Sequence, residues 1–108
     1  MPGGLLVPLN EREMVADIIR ELNAKLILVS RNYLGSINHS LLTAEYCRQK
    51  NIPVLGWVFN DQYMDYEEEI VKWSGYPRLA SVEKLAKTDK LTIRKQAARI
   101  KENLLQVL

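Results

Sequence analysis

The chain is poorest in the residues that build metal centres and disulfides. It has one cysteine, Cys47, and one histidine, His39. A lone cysteine closes no internal disulfide, and without a second thiol or a histidine nearby it offers no metal-ligand spacing. A reduced, semi-buried thiol is expected. No apolar run approaches the roughly 20 residues needed to span a bilayer, and the N-terminus shows no basic segment followed by a long apolar stretch as a secretory signal would. The expected compartment is the cytoplasm. Net charge is also small: fifteen Lys and Arg against thirteen Asp and Glu give +2 over 108 residues. That balance gives no electrostatic argument for nucleic acid, because the basic residues cluster only near the C-terminus. The sequence contains neither G-x-x-x-x-G-K-[ST] nor G-x-G-x-x-G, the glycine loops that cradle nucleotide phosphates. No Ser-His-Asp or Cys-His nucleophile can be assembled, so no catalytic residue is assigned.

What remains is 47% hydrophobic and 26% charged, the composition of one globular domain, here expected to span 1–108. Four apolar runs alternate with four helical patterns. "GGLLVPL" (3–9), ended by Pro8, reads as a buried strand. "NERE" then suggests a helix over 11–23, with Asn10 as N-cap and Glu13 closing a capping box, and with Met14, Val15, Ile18, Ile19 and Leu22 at helical spacing. "KLILVS" (25–30) has the continuous apolar character of a strand covered on both faces. A second helix is expected over 36–50 with Ile37, Leu41, Leu42 and Tyr46 facing inward. "IPVLGWVFN" (52–60) is a further buried strand, followed by a polar loop. A third helix over 66–74 has an acidic first turn, "YEEE", suited to the positive end of the helix. "YPRLASV" (76–82) reads as a shorter strand. A final helix over 92–107 should turn Ile93, Ala97, Ile100 and Leu104 inward and its basic residues outward. The alternation predicts a right-handed α/β architecture, a parallel sheet flanked by helices, with ligands received beyond the carboxyl ends of the strands.

One loop at that rim combines glycine with a polar helix start, "YLGSINHS" (33–40). Gly35 permits a backbone path closed to other residues, and the N–H groups of Ser36, Ile37 and Asn38 would be the unpaired donors of a helix N-terminus. Such an end receives a carboxylate or phosphate, and Asn38 adds a side-chain donor. From spacing alone the simpler reading of the same residues is plain capping by Ser36 after a glycine turn. His39 reads as a structural histidine. Asn60, at the carboxyl end of a buried strand, presents an amide that matches an adenine edge, or else opens an Asn-Asp turn. Trp57 and Trp73 read as core or interface aromatics, and the "DYEEE" carboxylates as a solvated helix face rather than a metal site.

"GGLLVPLNERE", "LILVSRNYLGSINHSLLTAE" and "VLGWVFND", in that order and spacing, resemble the dethiobiotin synthetase family over most of residues 3–61; beyond Asp61 only the pattern of elements is shared. The resemblance implies a partial P-loop-type sheet of about four strands. The family's homodimeric ligases use Mg2+ and ATP to carboxylate diaminopelargonic acid with bicarbonate or CO2 and close the ureido ring of dethiobiotin. It implies that Gly35, Ser36 and Asn38 form a socket for the substrate carboxylate, offered to the neighbouring subunit. It also implies that Asn60 contacts adenine, and that Tyr66 is the nearest match to a substrate-binding tyrosine. The family's P-loop, phosphate-binding lysines and metal ligands belong to an N-terminal half that this sequence does not show, so the chain is expected to be inactive alone or to need that half. Val82-Glu83 stands where the family has Ile-Pro before its adenine loop. Two other expectations are a non-catalytic regulatory or interaction module of the same fold, and a relic that folds without activity.

Overall fold

The computed structural model describes residues 4–60, 66–83 and 88–108. Its elements are α1 (Val15–Glu21), β1 (Leu26–Arg31), α2 (Ser36–Gln49), β2 (Val54–Asn60), α3 (Tyr66–Ser74), β3 (Arg78–Val82) and α4 (Lys90–Val107). The strands form one parallel sheet in the order β1-β2-β3. The α/β parallel architecture is as expected, with three strands among the described residues rather than four.

The difference lies in the first apolar run, which becomes a strap. Leu5 and Val7 spend their carbonyls on the N–H groups of Ala16 and Val15, each at 3.0 Å, and Pro8 makes only an isolated antiparallel bridge to Met14. Proline has no N–H to give a ladder, and the preceding carbonyls are already satisfying a helix start.

The first helix also begins later than its leading signal. Asn10 Oδ1 accepts from the N–H groups of Arg12 and Glu13 at 2.8 Å, but the Glu13 carboxylate accepts from Asn10 Nδ2 at 3.1 Å and not from its backbone N–H, so the expected capping box is replaced by a closed turn. A second signal follows at once: Asp17 accepts the N–H of Met14 at 2.7 Å, and helix proceeds from Val15.

In α2 the inward face is Ser36, Ser40, Ala44 and Cys47, while Leu42 is 61% exposed. The expected leucine face is therefore rotated for Leu42, although Ile37, Leu41 and Tyr46 are half-buried. Small residues let the helix lie close to β1, where Ser30 and Ser40 share a buried hydrogen bond of 2.8 Å. Cys47 is wholly buried, more deeply than anticipated.

The core joins Leu28, Ala44, Cys47, Ile52, Trp57, Phe59 and Ile70. Trp57 and Phe59, two residues apart and so on one face of β2, stack at 5.8 Å between centroids. Trp57 is therefore core, whereas Trp73 is 63% exposed. The final helix buries less than its pattern promised: Ile93 is 52% exposed, Ala97 is exposed, and Ile100 and Leu104 are half-buried. It is tied to the sheet by Asn103 Nδ2, which donates to the carbonyl of Leu79 at 2.7 Å.

Candidate functional site at the mouth of helix α2

The ends of β1 and β2 are tied by a backbone hydrogen bond of 3.0 Å from Asn32 to the carbonyl of Asn60. This brings the turn before α2 and Asn60 to the same rim of the sheet, the carboxyl ends of parallel strands. The chain then turns sharply. Gly35 takes a left-handed conformation at φ 98°, with only His39 Cε1, 3.9 Å from where a Cβ would sit, as a neighbour. Backbone conformation rather than space requires glycine there.

The turn uses one of the donors assigned to the helix mouth. Ser36 N–H donates to the carbonyl of Tyr33 at 3.0 Å, and the first helical bond runs from His39 N–H to the carbonyl of Gly35 at 3.1 Å. Ile37 and Asn38 retain the open N–H groups, so the anion-facing donors are two rather than three. The residue capping α2 is Gly35, without a side-chain hydrogen bond, and Ser36 is the first helical residue. Ser36 therefore does not act as the N-cap. Its hydroxyl is buried with no hydrogen-bond partner. The first turn of α2 carries no acidic residue to oppose an anion.

Two side chains that sequence reasoning passed over belong to this mouth. Tyr33 Oη lies 2.6 Å from His39 Nδ1, with the rings tilted and 5.8 Å apart, so the phenol and imidazole bracket the glycine turn. Asn32 is 5% exposed, and neither amide atom has a partner. The logic that singled out Asn60, an amide at the carboxyl end of a buried strand, applies equally to Asn32 in "VSRN". A cavity of about 300 Å³ adjoins the mouth and is lined there by Tyr33, Ser36, His39 and Ser40.

Gly35, Ser36 and Asn38 thus share one helix mouth, with Asn38 exposed, and Asn60 stands exposed on the same rim. Tyr66 is the half-buried first residue of α3 and does not line this cavity; Tyr33 does. Residues 61–65, including Asp65 of "DYEEE", lie outside the described residues. Of the acidic first turn of α3, Glu67 accepts from Ser81, and Glu69 accepts from the Trp73 indole at 3.0 Å. Among the described residues no three His, Cys, Asp or Glu side chains converge as a metal site, and no helix is long and apolar enough to cross a membrane. Val82 is half-buried and Glu83 exposed, and residues 84–87 are again outside the description.

Comparison with known proteins gives this geometry a context. A family model described as an AAA domain matches residues 2–92. The ATP-dependent dethiobiotin synthetase of Cytophaga hutchinsonii is 44% identical over 94% of this chain and 50% of its own length. That of Christiangramia forsetii is 35% identical over 97% of this chain and 51% of its own, and that of a Geobacillus species 39% over 94% and 46%. The chain spans about half the length of the relatives it matches. The chain belongs to the AAA domain family and, within it, is a relative of the ATP-dependent dethiobiotin synthetases.

Proposed function

We propose that this chain serves biotin synthesis as part of an ATP-dependent dethiobiotin synthetase. In this reading it supplies the pocket for the carboxylate of diaminopelargonic acid together with one wall of the adenine pocket. The observation that carries the reading is the α2 mouth: two open N–H groups, an exposed Asn38 amide, and a buried Ser36 hydroxyl that lacks a partner, with no acidic residue in the first turn. A carboxylate there accepts hydrogen bonds from Ile37 and Asn38 and meets the positive end of a 14-residue helix. Asn60 is suited to read a base edge, since its side-chain amide is exposed while its carbonyl is held by Asn32.

The fit to the rest of Mg-ATP is poor in this chain. No glycine loop for phosphates is present in the sequence, and no trio of metal ligands stands among the described residues. Phosphoryl transfer depends on phosphate positioning and charge neutralisation, so those parts must come from outside the residues seen here. The proposed assembly is accordingly the family's homodimer, each subunit completed by the half that the chain does not match, with bicarbonate or CO2 as the one-carbon donor. A second reading is a non-catalytic regulatory or interaction module of the same fold.

The test is ADP release from Mg-ATP, bicarbonate and diaminopelargonic acid. The chain would be assayed alone, and again with the unmatched half of the Cytophaga hutchinsonii synthetase as a separate polypeptide. Turnover only in the mixture, lowered about tenfold or more by Asn38→Ala, is the expected result. Loss of one charge-assisted hydrogen bond is worth about 1.5–3 kcal/mol. Absence of turnover, together with no saturable binding of diaminopelargonic acid, would favour the non-catalytic module.

A further inference from the structure

The turn that opens α2 withdraws one donor from the helix mouth and sets another beside it, and both changes come from Tyr33. The Tyr33 carbonyl accepts the N–H of Ser36 at 3.0 Å. The Tyr33 phenol oxygen lies 2.6 Å from Nδ1 of His39, a residue of the first turn of α2. The two rings are tilted with centroids 5.8 Å apart, so the phenol is held against that turn by contact as well as by the hydrogen bond. Tyr33 and His39 line the cavity together with Ser36, whose hydroxyl is buried and without a partner. Tyr33 is 42% exposed, so the pair faces the solvent side of the mouth and not the core. Arg31 is the charged side chain that lines the same cavity, and the first turn of α2 has no acidic residue, so an anion meets no opposing carboxylate there.

One hydrogen decides what Tyr33 presents to a ligand. A neutral imidazole carries its hydrogen on Nδ1 or on Nε2. With the hydrogen on Nε2, Nδ1 accepts the phenol O–H, and Tyr33 turns only lone pairs outward. With the hydrogen on Nδ1, the imidazole donates to Oη and the phenol O–H is released to donate outward. Nε2 has no partner among the described residues and His39 is exposed, so water can exchange the two forms. A carboxylate only accepts hydrogen bonds, so it is compatible with one form and repelled by the other.

We infer that Tyr33 is a specificity-determining residue of the α2 mouth, donating its phenol O–H to the carboxylate of the ligand. His39 is the positioning residue that frees this O–H by keeping its own hydrogen on Nδ1. The inference deepens the diaminopelargonic acid reading proposed above and rests on it. The phenol restores the donor that the turn consumed: the mouth offers the N–H groups of Ile37 and Asn38 and the O–H of Tyr33 in place of the Ser36 N–H. The ligand class is an aliphatic carboxylate, because an O–H bonded to an ionised oxygen is roughly twice as strong as a neutral pair, and an uncharged ester of the same chain forfeits that gain. This phenol comes from the turn before α2 and is distinct from Tyr66, which opens α3 and does not line the cavity.

The experiment titrates the full chain, alone and with the unmatched half of the Cytophaga hutchinsonii synthetase, with diaminopelargonic acid and with its methyl ester. His39 is the only histidine of the chain, so with this chain alone isotopically labelled its imidazole nitrogen resonances are unambiguous. With the acid bound, Nδ1 is expected to carry the hydrogen. Tyr33→Phe, checked for folding by circular dichroism, should lower affinity for the acid about tenfold or more and for the ester by less. His39→Ala should lower it similarly, and His39→Asn, which keeps an N–H donor in the place of Nδ1, should recover most of the loss. A role confined to shaping the turn predicts neither the imidazole signature nor the difference between acid and ester. The inference alone is overturned if binding of the acid needs Asn38 but is indifferent to Tyr33→Phe, if Tyr33→Phe weakens acid and ester equally, or if the bound complex keeps the hydrogen on Nε2 with Nδ1 bare. No saturable binding of the acid in either preparation overturns the carboxylate site and this inference together.

Discussion

The indole N–H of Trp57 donates to Ser74 Oγ at 2.8 Å, joining the middle of the sheet to the last residue of α3. Both residues are 1% exposed. The hydroxyl also accepts the N–H of Tyr76 at 3.2 Å, so one small side chain satisfies two donors where the chain leaves the helix for β3. Ser74→Ala strands both. The expected loss is about 1–3 kcal/mol, the penalty of a buried donor left unsatisfied, read from the urea midpoint and from earlier exposure of Trp57 by fluorescence. An unchanged midpoint would mean that the hydroxyl is dispensable to this junction.

Gly56 sits where β2 passes under the start of β3. A Cβ added there would lie 2.6 Å from the carbonyl of Pro77 and 2.8 Å from Leu79 Cγ. The first neighbour is backbone and the second a buried side chain, so neither yields easily. Gly56→Ala should destabilise the protein by about 1–3 kcal/mol or more and disturb the β2-β3 pairing. Hydrogen exchange confined to the β2-β3 ladder would separate this from general loosening.

Cys47 is fully buried, and desolvation raises its thiol above the ordinary value of 9.0. The native thiol should therefore react with a disulfide reagent only as fast as the protein opens, and addition of urea should accelerate labelling steeply. A labelling rate near that of a free thiol in native buffer would contradict this placement.

The same shift makes stability depend on alkaline pH. An acid whose folded value is raised keeps its proton in the native state while the unfolded chain has already released it, so stability is full below the ordinary value and falls as pH climbs through the interval above it. Tyr76 acts in the same direction, raised above 10.0 chiefly by burial although the Arg48 guanidinium opposes the shift. The urea midpoint should fall as pH climbs above 9.0, and Cys47→Ala should flatten the lower part of that fall.

Asp89 gives an acid-side test. Its carboxylate caps α4, accepting from the Thr92 hydroxyl at 2.6 Å and the Thr92 N–H at 2.8 Å, and these bonds hold it below its ordinary value of 3.8. A depressed value means that the cap contributes fully above the ordinary value and is lost as pH falls below it. Circular dichroism should show α4 fraying in that acidic interval, and Asp89→Ala should fray it at neutral pH without altering the sheet. The exchange rates of amides 90–93 locate the effect.

The sequence alone determined the order and type of the elements from Lys25 onward, because continuous apolar runs, period-3.6 patterns and the glycine and asparagine turns are local. It also located the glycine turn before α2 and the amide at Asn60, since both follow from where a strand ends and a helix begins. Tertiary structure decided what depended on neighbours distant in the chain. The carbonyls of Leu5 and Val7 went to α1 rather than to a ladder, so the first apolar run became a strap. Close approach of α2 to β1 turned Ser36, Ser40 and Ala44 inward in place of Leu42, because small side chains permit a separation that leucine would prevent. The same turn that shapes the mouth consumed the Ser36 N–H and drew Tyr33 onto His39, leaving two open donors where the spacing had suggested three. Periodicity can name a strand as interior; whether anything lies beside it is settled only by the assembled sheet.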